Sequence, residues 1–540
     1  MNLYPTRATF HVALAGTAMI AAGVATRGAA PAAFGSAVLL TIALARGLAL
    51  VAGARLRQAG FEMAWAHGPR VVKVARGGTI VLRLELRNRS QDRVRAVGLR
   101  AIASSFLHVE ISPREVDLPP ASAVIVDVVV VGNRIGRWGL HGLALELRGM
   151  PLGGEGLYEV PLVFSNPFGI EVEPQALVAM LRSPRGGRSG QVTEAGRSAR
   201  TRGEGDELRE LRDHVVGDAF KQIAWRASAR RGRLVVREME RQERDIVWLV
   251  LDASVDGWAG SPGTAPLDRA VDELSAVAVR HLSRGDQVGL VVFASRPRAW
   301  IAPGRGKTQA ALITGALSGC STMVDVDRSE LDELEVAQRV AEHLRPLVRD
   351  EPWPRSPSDL DRLAGVAESM RARAPFETRV PHALSPRDRT LRHYLACFGI
   401  EVPPRTEGER PRAESELART LTKLMTVKPR PSIVAVWAPA PTPHGLVARA
   451  VRSLRARRAE IRWTIPDLDA SIGVEAASTK EKLAVAVSVE EALRVRVRAE
   501  QKRALTTLRA LGVHAGLRVA RTAGVRVGST SNDDAPGVES

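Results

Sequence analysis

Several stretches carry residue types and spacings that could do chemistry. GRGKT at Gly304–Thr308 has the ending of a phosphate-cradling loop, in which backbone N–H groups and a lysine hold a polyphosphate. The first glycine of that spacing would fall on Ile301, however, and the aspartate-tipped strand precedes the loop instead of following it. Nucleotide hydrolysis is therefore not expected. DVDRSELDE from Asp325 has two acids at calcium-loop spacing, but Glu330 stands where the turn glycine belongs, so a capped acidic helix start is expected. Cys320 and Cys397 lie far apart with no zinc-type spacing and read as buried free thiols. The 11 histidines are dispersed, and no GxSxG, HExxH or paired Cys/His arrangement is present. These readings together predict a protein without a catalytic set.

One basic cluster remains. Arg226, Arg230, Arg231, Arg233 and Arg237 surround Trp225, as a nucleic-acid platform would require. They are interleaved with Glu238, Glu240 and Glu243, which favours a packed indole within an ion-pair network. The whole chain has a formal charge of +18, a bias that suits nucleic acid, anionic lipid or an acidic protein. Because the arginines are scattered among nearly as many acids, a solvated basic surface is expected and nucleic acid is not the expected partner.

The elements that must position these residues begin with two apolar runs. Ala8–Thr26 is uncharged and close to the roughly 20 residues a helix needs to cross hydrocarbon. Pro31–Ala45 continues past Arg46 as GLALVAGA, and Arg46 is expected to snorkel. A cleaved signal peptide would have a shorter apolar core, and the second run would still hold the chain. Arg7 before the hairpin and Arg55, Arg57 and Arg70 after it, against Arg27 in the turn, place both ends in the cytosol. From Val71 to about Leu181, strand-like runs such as VVKV, TIVLRLELRN and VIVDVVVV are separated by Gly, Pro and Asn punctuation, and TIVLRLEL alternates apolar and polar residues, predicting an all-β region, an antiparallel sandwich or barrel. A glycine- and arginine-rich linker is expected over 183–205. Alternating strands and helices after Ile246 predict an α/β doubly wound, largely parallel sheet.

The stretch Asp206–Ser254 carries the most specific pattern: LREL at Leu208–Leu211, Gly217 and Asp218, Ile223, Trp225, Arg226, then ASARRGRLVVRE through Arg230 and Arg237 to Glu238. It resembles the signature of the DUF58 family, and SNPFGI at Ser165–Ile170 is similar to that family's Asp-Pro-Phe-Gly-Leu element, with Asn166 replacing the acid. The resemblance implies that IVWLVLDAS, Ile246–Ser254, opens a von Willebrand A-like domain. Such domains can carry a divalent metal on a DxSxS loop, a threonine and a later aspartate. Here Asp252, Ser254 and Asp256 form the loop, Thr322 stands for the threonine, and Ala438 and Pro439 occupy the place of the last acid. That set would hold magnesium only weakly, through waters; alternatively Asp252 satisfies backbone amides. No other cofactor is expected.

The expected organisation is a two-helix membrane anchor at 1–57, a β-sandwich at 58–182, the linker at 183–205, and the signature with its von Willebrand A-like domain at 206–520. The last contains a helical insertion near 349–431, and a disordered tail occupies 521–540. The resemblance implies a non-enzymatic scaffold or adaptor at the inner (cytoplasmic) membrane, its bulk cytosolic, working with a MoxR-type AAA+ ATPase or its client in protein-complex or envelope assembly. The alternatives are a metal-dependent ligand-binding protein and a basic binder of nucleic acid or anionic lipid.

Overall fold

The computed structural model describes residues 4–517 apart from 6, 60, 67, 90, 92, 150–157, 184–196, 203–207, 217, 221–222, 259, 261, 346, 348–353, 406–408, 443–444 and 467–479. Gly217 and the tail at 521–540 thus lie outside the described residues. A two-residue strand β1 (Tyr4–Pro5) precedes helices α1 (Arg7–Ala25) and α2 (Ala29–Ala59). Ala8–Ala25 and Ala29–Leu48 are long and apolar enough to cross a membrane. Their side chains are largely exposed, Phe10, Leu14, Phe34, Leu40 and Leu44 among them, so these are not core helices of a soluble domain. A Cβ added at Gly35 would stand 2.5 Å from the Gly16 carbonyl oxygen, so glycine is what lets the two helices approach.

A β-rich region follows: β2 (Phe61–Trp65), β3 (Val71–Ala75), β4 (Thr79–Asn88), β5 (Val94–Ala103), β6 (Leu107–Ser112), β7 (Glu115–Leu118), β8 (Ser122–Gly132), β9 (Gly136–Gly149) and β10 (Tyr158–Glu173). One sheet runs β1-β10-β9-β5-β7, with β3 parallel to β10, and a second runs β2-β4-β8-β6. The alternation in TIVLRLEL turns Leu82, Leu84 and Leu86 into a core shared with Leu140, Leu143 and Ile170 of the other sheet. Burying each leucine stabilises by about 1.5–3 kcal/mol. The SNPFGI run makes a bulge in β10 between Ser165 and Phe168. There the Asn166 amide donates to the Met63 carbonyl at 3.2 Å, and the Trp65 indole donates to the Asn166 carbonyl at 2.8 Å, stitching the two sheets together.

Helix α3 (Gln175–Arg182) leads to β11 (Arg197–Arg202), β12 (Leu208–Asp213), α4 (Trp225–Arg231) and β13 (Val235–Glu243), with the strands ordered β11-β13-β12. Of the linker expected at 183–205, residues 184–196 and 203–205 lie outside the described residues, and the expectation is corrected only over 197–202. RSARTR there is a strand paired antiparallel to β13, and backbone hydrogen bonding does not need apolar side chains.

The α/β region comprises β14 (Ile246–Asp252), α5 (Pro266–Ser283), β15 (Gln287–Phe293), β16 (Pro297–Gly304), α6 (Gly306–Ser318), α7 (Glu333–Leu344), α8 (Pro357–Met370), α9 (Pro386–Phe398), α10 (Glu409–Leu424), β17 (Ile433–Trp437), α11 (Leu446–Ala456), β18 (Glu460–Ile465), α12 (Lys480–Ala510) and β19 (His514–Leu517). Its sheet runs β16-β15-β14-β17-β18-β19, parallel throughout except for the edge strand β16. β14 is buried on both faces, as a covered parallel strand must be. Val247, Leu249 and Leu251 pack with α5 and α6, while Trp248 and Val250 pack with α10 and α11.

Two expectations shift here. The capped helix start expected within DVDRSELDE lies at its end, α7 beginning at Glu333, because Asp332 and Glu335 form a reciprocal capping box and the preceding turn is held by ion pairs of its own. The insertion expected at 349–431 divides: α8 and α9 build a separate core with α7, whereas α10 belongs to the layer covering the sheet. Lys307 of the GRGKT run donates to the carbonyls of Leu181 and Ser183, so it clamps the end of α3.

Candidate functional site

β14 lies between β15 and β17, so the chain leaves it first to one side and then to the other. The carboxyl end of such a strand is where doubly wound sheets bind ligands. The Asp252 carboxylate accepts the Ser254 N–H at 2.8 Å, closing the turn out of the strand. Burial pushes Asp252 up to about 6; the Ser254 hydrogen bonds pull the other way, and Glu409 and Asp256 add repulsion. Ser254 is buried, and Asp256 sits 3.5 Å from Arg410. These three residues line a small cavity of about 130 Å³, roofed by Val497, Gln501 and Ala504 of α12.

Thr322 does not join them. Its hydroxyl donates to the Gly319 carbonyl at 3.4 Å, and its own carbonyl accepts from Arg298 and Arg328 at 3.2 and 3.1 Å. The four-residue oxygen set drawn from the sequence is therefore corrected to three, because a buried arginine stands between the two loops. Arg328 is 1% exposed; it donates to the Ala253 carbonyl at 2.6 Å and pairs with Glu409 at 3.3 Å. Glu409 in turn accepts the Val255 N–H at 2.6 Å. A guanidinium thus supplies positive charge beside the loop that the sequence reading offered to a cation. Among the described residues no group of three His, Cys, Asp or Glu side chains is placed to hold a metal. The sequence reading missed Arg328 and Glu409: the arginine sat inside an acidic run, and its partner lies far along the chain.

The signature block is built differently. Arg212 holds Asp218 through two bonds of 2.5 and 2.8 Å, and Asp218 also accepts the Val215 N–H, which keeps its carboxyl well below the usual carboxylate range. Ile223 bridges to Val236, and both are buried. Ser228 accepts the Val235 N–H at 2.9 Å, pinning α4 to β13. Trp225, expected as a packed indole, is instead 54% exposed, as the first residue of α4 with its ring turned outward. It pairs with Phe220, which is 75% exposed, at a centroid distance of 5.6 Å. Val215, Val216 and Leu234 are exposed too, as are Arg226, Arg230 and Arg237. Of the block's apolar side chains Ile223, Trp225, Leu234 and Val236, only Ile223 and Val236 are buried.

Comparison with known proteins returns one family, described as "Protein of unknown function DUF58", matching residues 210–341. No curated protein matches the chain. Among solved structures, a PapD-like domain of human CEP192 is similar at 14% identity over 21% of this chain and 85% of that one, with a TM-score of 0.17. A Caenorhabditis elegans MSP family member, WR4, shares 8% identity over 20% and 96% of the two chains, with a TM-score of 0.15. An Escherichia coli alpha-2-macroglobulin fragment shares 13% over 74% and 60%, with a TM-score of 0.17. Likenesses of that size carry no inference about fold or activity. The match over residues 210–341, which spans the Arg212–Asp218 clasp, α4 and the Asp252 loop, supports a DUF58 family protein.

Proposed function

We propose that this chain is a non-enzymatic adaptor anchored in the inner membrane by α1 and α2, with a cytosolic von Willebrand A-like domain that serves a MoxR-type AAA+ ATPase or its client. The observation that carries this reading is the exposed patch of Val215, Val216, Phe220, Trp225 and Leu234, set among exposed arginines within the family-matched segment. Aromatic and arginine side chains are the types that dominate the binding energy of protein interfaces, and the exposed Phe220–Trp225 ring pair among arginines is of that type. The strand order, with only its edge strand β16 antiparallel, supports the von Willebrand A-like reading, as the two sheets with a common core support the β-sandwich. Arg328 beside the Asp252 loop favours an adaptor over a metal-dependent binder.

The test is direct binding of the full chain, in detergent, to a purified MoxR-type ATPase from the same genome. Replacing Phe220 and Trp225 together by Ala should weaken binding at least about tenfold, the loss expected for interface aromatics. Undiminished binding by that double variant would refute the reading.

A further inference from the structure

Just beyond the carboxyl end of β15 lies a cavity of about 320 Å³, open to solvent and walled by residues 295–298, 325–328 and 379–382 and by Arg389 near the start of α9. The carboxyl ends of parallel strands are where doubly wound sheets take ligands. Five arginines line this cavity against two acids. Arg298 is paired with Asp325, Arg296 with Asp327 at 3.0 Å, and Arg328 with Glu409 at 3.3 Å. Two positive charges are then left over. Among the described residues neither Arg379 nor Arg389 meets a carboxylate.

The donors are within reach of a ligand. Arg379 is exposed and donates through Nη1 alone, to the carbonyls of Pro297 and Arg298 at 3.2 and 3.3 Å. Arg389 is exposed and engages nothing among the described residues. Arg296 meets Asp327 through Nε, which leaves both Nη groups uncommitted on a side chain that is 55% exposed. The wall behind them is fixed before any ligand arrives. The His382 N–H donates to Asp325 at 2.7 Å, the Val326 N–H to the His382 carbonyl at 3.0 Å, and the Ser295 hydroxyl to Asp327 at 2.6 Å. The surplus of charge is felt inside the wall: burial holds the Arg298 guanidinium down at about 9, and Arg328 and Arg379 add repulsion.

A guanidinium fork matches carboxylate and phosphate alike. Forks arriving from three separate elements, however, need acceptor oxygens in more than one plane, which a tetrahedral phosphoryl group has and a carboxylate lacks. Its double charge also answers both unpaired arginines. Pro297, Val380 and Pro381 are the apolar part of the wall, too little to hold a hydrocarbon body. At ~30 Å³ per water the volume is that of about ten waters, room for a phosphoryl group and a small organic remainder. We infer that this pocket binds a phosphoryl group, carried by free phosphate or by a small phosphoester, through Arg379, Arg389 and the Nη groups of Arg296. It takes a small ligand, not a protein, and does not depend on the partner proposed above.

The experiment is calorimetric titration of the full chain in detergent, at about 50 mM salt to limit screening, with inorganic phosphate and with glycerol 3-phosphate, each to about 10 mM, and with acetate and glycerol as controls. At least one phosphoryl compound should bind one-to-one and at least about tenfold more tightly than acetate, and the preferred one of the two identifies the carrier. Arg379→Gln and Arg389→Gln should each weaken that binding about tenfold, the size of one hydrogen bond to a charged group. Arg284→Gln, exposed at the end of α5 on the opposite edge of the sheet, should leave it unchanged. Because Arg389 holds no contact among the described residues, its replacement tests the site even if losing Arg379 loosens residues 379–382. No binding by either phosphoryl compound, acetate binding as tightly, or an affinity in Arg389→Gln no lower than in Arg284→Gln would overturn the inference, the last by showing only a general basic surface.

Discussion

The end of β14 and the signature block around α4 lie within one family-matched segment and handle their side chains in opposite ways. At the strand end, groups that could face a ligand are turned onto one another: Arg328 bonds the Ala253 and Thr322 carbonyls and pairs with Glu409, while Asp252 accepts its neighbour's N–H. On the signature block the charges are used for clasps such as Arg212–Asp218, and the large apolar side chains are left outside. Residue type points the wrong way at the signature block, where a tryptophan among arginines reads as core and is surface. At the Asp-Ser-Asp loop it leaves two readings open, and Asp252 meets the one in which it satisfies a backbone amide.

The largest expected effect comes from breaking the first region. Arg328→Met leaves Glu409 buried without its cation and the Ala253 carbonyl without its donor, so stability of the full chain should fall by about 3–5 kcal/mol, as expected when one partner of a buried pair is removed. Denaturant unfolding in detergent measures it, and a loss below about 1 kcal/mol would show that the arginine is incidental to the loop.

A smaller effect has the opposite sign. Asp252 at about 6 lies above the ordinary carboxylate near 4, so the folded chain holds this proton more tightly than the unfolded chain. Its contribution is therefore fully present below about pH 4 and is lost as pH rises through 6. Asp252→Asn, which stays neutral, should stabilise the chain by about 1–2 kcal/mol near neutral pH and by nothing near pH 4. Millimolar magnesium should leave the melting temperature of either protein unmoved, since a ligand stabilises only when its concentration exceeds Kd. A magnesium-dependent rise abolished by Asp252→Asn would restore the metal-binding reading.

The smallest effect on stability belongs to the second region. An exposed ring contributes little to the fold, so Trp225→Ala should change stability by less than about 1 kcal/mol, where a buried indole would cost about 3–5. A melting temperature lowered as for a core tryptophan would remove the distinction between the two regions.

Sequence patterns carried the architecture where periodicity reports burial directly. TIVLRLEL gave its inward leucines, and the two apolar runs their helices. They failed where structure depends on distant partners. RSARTR looks like linker because its side chains are polar, yet β13 supplies its backbone hydrogen bonds. Thr322 was separated from the Asp252 loop by Arg328, whose carboxylate partner Glu409 arrives from another helix. The arginine pocket beyond β15 was invisible for the same reason: Arg296, Arg379 and Arg389 come from separate elements, and no spacing along the chain connects them.

The central claim is that partners meet the signature block and not the end of the sheet. A photo-crosslinking amino acid placed at position 220 or 225, and separately at 256, tests it in cells producing the full chain together with the MoxR-type ATPase proposed as partner. The account predicts an adduct with the ATPase or its client from 220 and 225 and none from 256. Adducts from 256 alone would contradict it.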